Sequence, residues 1–163
     1  MMGDFAQALT VFDAALRRGA DVALIRARVD GAHTTGIRIA RRALGHATGL
    51  SESVGESWSR AQIIEAGLPV PTLQCRYRGS STYFCDFDWD GVLVGEFDGM
   101  TKYSRLLRPG QTIADAVARE KAREDELRAL GLMVLRWTWS TLVRGELVEL
   151  LTPWLLRLGI TGT

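Results

Sequence analysis

The chain reads as an α/β domain on three observations. Helical spacing of apolar residues governs it as far as Gly67, a period of two takes over from Pro71 to Asp98, and a long charged helix then returns it to one more β-rich segment. Its 163 residues, 47% of them hydrophobic, have the length of one ordinary domain and enough apolar material for a core. The expected organisation is an N-terminal helical layer over 1–50, a main unit over 51–158 packed with it, and a frayed tail over 159–163.

Phe5, Leu9, Phe12 and Leu16 recur at three- and four-residue intervals and place one apolar face on a helix that Gly19 ends. A shorter helix runs from Asp21 to Val29, and a third carries Ile37, Ile39, Ala40 and Leu44 between arginines. Ser53 and Glu56 form a Ser-x-x-Glu capping box, opening a helix that reaches Gly67. Leu73, Cys75 and Tyr77 then alternate with Gln74, Arg76 and Arg78, and Gly79-Ser80-Ser81 turns the strand into a hairpin. Strands follow at 82–89 and 92–98. Arg108-Pro109-Gly110 leads to an N-cap at Thr112 and a charged helix that ends at Gly131. Met133 to Trp137 is a last strand. A closing amphipathic helix follows, which Pro153 is expected to kink or restart.

Twenty Lys and Arg against nineteen Asp and Glu leave a net charge of +1, so a polyanion would have to be met by a local patch. There is no leader-like N-terminus and no run of about eighteen apolar residues, which points to a cytoplasmic protein without a membrane partner. Cys75 and Cys85 lack CxxC spacing and a nearby histidine, so they read as a reduced packing pair rather than a zinc site. His33 and His46 have no clustered ligands. Trp137 and Trp139 read as core.

The stretch from Tyr83 to Lys102 sets carboxylates into a hairpin that otherwise looks buried. An ionised carboxylate out of water costs several kcal/mol unless a cation, a metal or hydrogen-bond donors compensate. Whether these carboxylates converge depends on the turn. A two-residue loop at Asp90-Gly91 pairs 89 with 92 and scatters them. A type I turn over 88–91 with Gly91 left-handed pairs 88 with 92 and 84 with 96, which sends Asp86, Asp88, Glu96 and Asp98 to one face and Cys85, Phe87, Trp89, Leu93 and Phe97 to the other. The second register separates charge from apolar surface and is favoured by burial; Asp88 and Asp90 serve the turn.

Carboxylate oxygens gathered this way suit Mg²⁺ (or Mn²⁺), with water and phosphate completing the octahedron. Asp86 and Glu96 are the expected ligands, with Asp98 and, from the preceding helix, Glu56. Lys102 or Lys121 would orient water or stabilise developing charge. Arg60 and Arg136 are candidate phosphate contacts, although Arg60 also stands at i+4 from Glu56.

Taken with the element order, these residues resemble the PD-(D/E)XK, or restriction-endonuclease-like, superfamily, over about residues 51–139. More narrowly they are similar to the branch related to very-short-patch repair endonucleases. Glu56, Asp86 in Asp-Phe, Glu96 and Asp98 in Glu-Phe-Asp-Gly, Lys102 where the branch often has histidine, and Leu130 to Trp137 match its pattern. The Glu-x-Lys lysine of the superfamily is Asp98 here, and Lys121 and Glu124 stand where the branch tends to have Asp and Arg. The resemblance implies an α-β-β-β-α-β core around a central mixed sheet, flanked by the N-terminal layer and the C-terminal helix. It also implies a metal-dependent nuclease acting on phosphodiester bonds, in DNA rather than RNA. Because of the departures, the alternative is a catalytically inactive nuclease-fold protein that binds nucleic acid or acts like an antitoxin. Actinobacterial proteins of this appearance are similar to abortive-infection antitoxins, so a homodimer or a toxin-antitoxin partner is the corresponding expectation. Their upstream winged-helix segment is not evident in residues 1–50.

Overall fold

The structure is a computed structural model that describes residues 2–99 and 112–161. The expectations for Lys102 and for the Arg108-Pro109-Gly110 turn lie outside these residues. In chain order the elements are α1 (Asp4–Arg17), α2 (Val22–Asp30), α3 (Ile37–His46), α4 (Val54–Glu65), β1 (Thr72–Arg78), β2 (Thr82–Trp89), β3 (Leu93–Asp98), α5 (Ile113–Ala129), β4 (Met133–Thr138), α6 (Trp139–Arg144) and α7 (Leu147–Arg157). The strands form one mixed sheet in the order β1-β2-β3-β4, antiparallel across the first three and parallel between β3 and β4.

Helices cover both faces of the sheet. On one face Phe87, Trp89, Leu93, Phe97 and Trp137 pack into a core with α1, α3, α4, α6 and α7, including Phe5, Leu9, Trp58, Ile63, Leu142, Leu147 and Leu151. On the other, Cys85, Val94 and Val134 meet Leu127 of α5 and Leu132, with Tyr77 and Tyr83 alongside. Close approach is built into the first face. A Cβ on Gly95 would lie 2.4 Å from the Trp137 ring, so glycine is what lets the indole lie across β3. The same indole donates from Nε1 to Ser59 Oγ at 2.7 Å and so ties β4 to α4.

The helical layer belongs to this core. Arg60 of α4 is enclosed between α1 and α3: Nη1 meets Asp13 at 2.6 Å and Nη2 donates to the His46 carbonyl at 2.5 Å. This corrects the expectation that Arg60 contacts phosphate, because a guanidinium 5% exposed and already paired with a buried aspartate is not presented to a ligand.

Two further expectations change at the C-terminus. The closing helix is broken at Gly145, whose left-handed φ of 71° caps α6, while Pro153 sits inside a continuous α7. Ile160, placed in the frayed tail, is 6% exposed and packs in the main core, with its N–H donating to Leu155 O at 2.9 Å. Among the described residues no helix is long and apolar enough to cross a membrane.

Candidate functional site at the β2–β3 fork

The hairpin joins Trp89 to Leu93 through the three-residue loop Asp90–Val92, and Phe87 pairs with Gly95. An odd loop is what burial favours, but the pairing is displaced from the expected one: residue 88 faces 94, not 92. Trp89 and Leu93, both fully packed in the core, fix this register. Asp88 serves the turn, accepting from Gly91 N–H at 3.1 Å and from the Tyr77 hydroxyl.

Counted along the same register, Asp86 falls opposite Glu96. The regular ladder has stopped there, and the Phe97 N–H donates to Asp86 Oδ2 at 2.9 Å instead of to the β2 backbone. β2 and β3 thus open into a fork with the Asp86 carboxylate in its crotch. β1 bends at the matching place: Gln74, between the pairs Leu73–Phe87 and Cys75–Cys85, has a φ of 53°. This left-handed residue reverses the alternation along β1, and the neighbouring strand reverses with it. Leu73 and Phe87 therefore face the main core, whereas Tyr77 and Cys85 face α5. Cys85 was expected on the Phe87 face; the bend is why it is not.

Glu96 and Glu56 each lie near enough to Asp86 at the fork to feel its charge. Glu96, 8% exposed, is held above the ordinary carboxylate range by burial, against which Arg123 pulls it down and the nearby Asp86 pushes it up. Glu56 is raised by burial, partly offset by its bond from Ser53, with Asp86 again adding repulsion. Its oxygens accept from Glu52 N–H and the Ser53 hydroxyl at 2.7 Å each, and Gln74 Nε2 approaches at 3.4 Å. The Ser53 cap read from the sequence is present, since Glu56 N–H donates to Ser53 Oγ at 3.2 Å, but the return bond goes from Glu52 N–H rather than from Ser53 N–H.

The counter-charge comes from an arginine that the sequence did not single out. Arg123 of α5 reaches Glu96 Oε1 at 2.6 Å and the Phe84 carbonyl at 2.8 Å with the same nitrogen, bridging the two prongs of the fork. Lys121, the expected helix lysine, is exposed. Two residues along a helix turn it by about 200°, so Lys121 and Arg123 cannot serve the same strand face. Arg136 stands opposite Glu96 in the β3–β4 register, lowers its affinity for a proton, and lies 3.6 Å from Glu124. Asp98, half-buried, ends β3 opposite Thr138.

Among the described residues no three His, Cys, Asp or Glu side chains form a group that could hold a metal, so Glu56, Asp86, Glu96 and Asp98 do not make a four-carboxylate cage. Mg²⁺ does not require one: it is commonly held by one or two carboxylates, with water and substrate phosphate supplying the rest. Asp86 and Glu96, opposite each other in the register and each adding repulsion to the other, are the pair whose chemistry fits.

Two uncharacterised proteins from two strains of Mycobacterium tuberculosis are similar to this chain, each 32% identical over 136 residues, covering 72% of this chain and 50% of the relative. The chain thus spans about half the length of the curated relatives it matches. No family model and no solved structure matches it.

Proposed function

We propose that this chain carries a restriction-endonuclease-like nuclease domain that hydrolyses phosphodiester bonds in DNA, with Mg²⁺ or Mn²⁺, in the cytoplasm. The observation that supports it is the fork: the register sets Asp86 and Glu96 opposite each other on adjacent strands, with Glu56 near enough to Asp86 to feel its charge. Such mutual repulsion in a buried place destabilises the fold and is retained where a cation is to be bound. The order α4-β1-β2-β3-α5-β4 and the parallel β3–β4 step support the finer fold assignment. A bound metal would supply a Lewis acid and a bound water of lowered pKa. The chain's own part is to place Asp86 and Glu96 as its ligands, with Glu56 and Asp98 beside them.

The test is cleavage of plasmid and oligonucleotide DNA with Mg²⁺ or Mn²⁺. Activity should vanish in Asp86→Ala and Glu96→Ala. Inactivity of the parent with both metals, or activity that survives both substitutions, would sink the reading. One observation favours a second reading, a nuclease fold without turnover that binds nucleic acid or acts like an antitoxin: Arg123 already neutralises Glu96. That reading expects salt-sensitive DNA binding without cleavage, and calorimetry in which Mg²⁺ gives no heat.

A further inference from the structure

Beyond the fork, the β1–β2 hairpin projects with two different faces. Tyr77, Tyr83 and Cys85 turn toward α5, so Arg76, Arg78, Thr82 and Phe84, which alternate with them, lie on the other side, the one that carries α4. The register sets Arg76 across from Phe84 and Arg78 across from Thr82. The helical layer covers the Phe87–Trp89 end of β2 but not this end. Phe84 remains 54% exposed, and both arginines are exposed without an ion pair among the described residues. The hairpin tip is fastened from behind, since Glu126 of α5 accepts from the Ser80 N–H at 2.8 Å and from the Ser80 hydroxyl. The platform is therefore rigid, and Phe84 sits two residues, about 7 Å, from Asp86 along the same strand.

We infer that Arg76, Arg78 and Phe84 form a docking surface for single-stranded nucleic acid, the arginines on phosphates and Phe84 stacked on an unpaired base next to the fork. An exposed aromatic ring flanked by guanidinium groups offers stacking, which every base can accept, together with charge for the backbone. A duplex keeps its bases stacked on each other and cannot use Phe84. The inference rests on the nucleic-acid reading above, and it adds a preference for unpaired strand and the residues that create it.

Binding of a short fluorescent oligothymidine and of a blunt duplex to the full chain, with metal chelated, tests it. The parent should prefer the single strand. Phe84→Ala should weaken that binding by about tenfold while Phe84→Trp preserves it, and the Arg76→Ala/Arg78→Ala double variant should reduce the salt slope by about 1.4. All three side chains are solvent-facing, and unchanged thermal melts would show that the variants fold. Variants that bind like the parent, or a parent that prefers duplex, overturn the inference and leave the nuclease reading standing if cleavage still depends on Asp86 and Glu96. Weakened binding in Phe84→Ala from a protein that cleaves nothing supports the inference and removes the nuclease. A parent that binds no oligonucleotide at low salt overturns the inference, and cleavage with Mg²⁺ or Mn²⁺ decides the nuclease reading separately.

Discussion

Arg123→Ala should unmask the electrostatic strain at the fork. In the parent, the guanidinium meets a Glu96 carboxylate whose side chain is 10% exposed, and it is itself only 21% exposed. A hydrogen bond to a charged group in such a place contributes about 1.5–3 kcal/mol, and stripping the partner from a fully buried ion pair costs about 3–5 kcal/mol. With the partial exposure of Arg123 discounted, and the solvent-facing bond to the Phe84 carbonyl added, the loss near pH 8 comes to roughly 3 kcal/mol. For a chain of this length that lowers Tm by about 6–12 °C.

The pH dependence separates this cause from a packing defect. The Glu96 pKa in the folded chain lies above its ordinary 4.5, so the folded state binds this proton more tightly than the unfolded state does. Its contribution to stability is full below the unfolded value and is lost as pH rises through the folded one. Removing Arg123 takes away the main group pulling that pKa down, so the loss should be larger and should extend to higher pH. Parent and variant should differ little near pH 4.5 and most near pH 8, by urea denaturation at each pH. Millimolar Mg²⁺ should then stabilise the variant more than the parent, because Glu96 is free to accept it. A ΔΔG that is the same at both pH values, or that stays below about 0.5 kcal/mol at pH 8, would refute the assignment of Arg123 as the counter-charge of the fork.

Two other predictions concern groups away from the fork's mouth. Asp13→Leu or Arg60→Met alone should each cost about 3–5 kcal/mol in urea denaturation, whereas the double variant should recover most of it, because an apolar pair replaces an ion pair that is 0% and 6% exposed; a double variant that loses the sum of the two single losses would show that the pair does not couple. Cys85, whose thiol is pushed up to about 12 by burial and then by the Glu96 carboxylate, should resist iodoacetamide at pH 8 in the native chain and react fully in urea. Native labelling of Cys85 as fast as a free thiol, read by mass spectrometry, would place it elsewhere.

What the sequence could tell about this site divides at the point where local rules stop. The capping of α4 by Ser53, the Thr112 cap of α5 and the facing of Cys75 with Cys85 are each set by a few neighbouring residues, and each is where pattern places it. Arg123 was visible only as one charge on a helix full of them; nothing local distinguishes it from Arg119 or Arg128, because its role depends on how α5 lies across β2 and β3. Arg60 failed for the same reason in reverse, since its partner Asp13 is forty-seven residues away on α1. The bend at Gln74 is a harder case. A left-handed φ is uncommon for glutamine, and no glycine or asparagine marks the place, so strict alternation carried Cys85 to the wrong face. That bend has a consequence for the chemistry. It turns the chain where β2 parts from β3, leaving Asp86 to bind the Phe97 N–H through its side chain and so to stay in the fork. A strand of regular alternation would have zipped β2 to β3 through 86 and 96 and closed the opening between the two carboxylates.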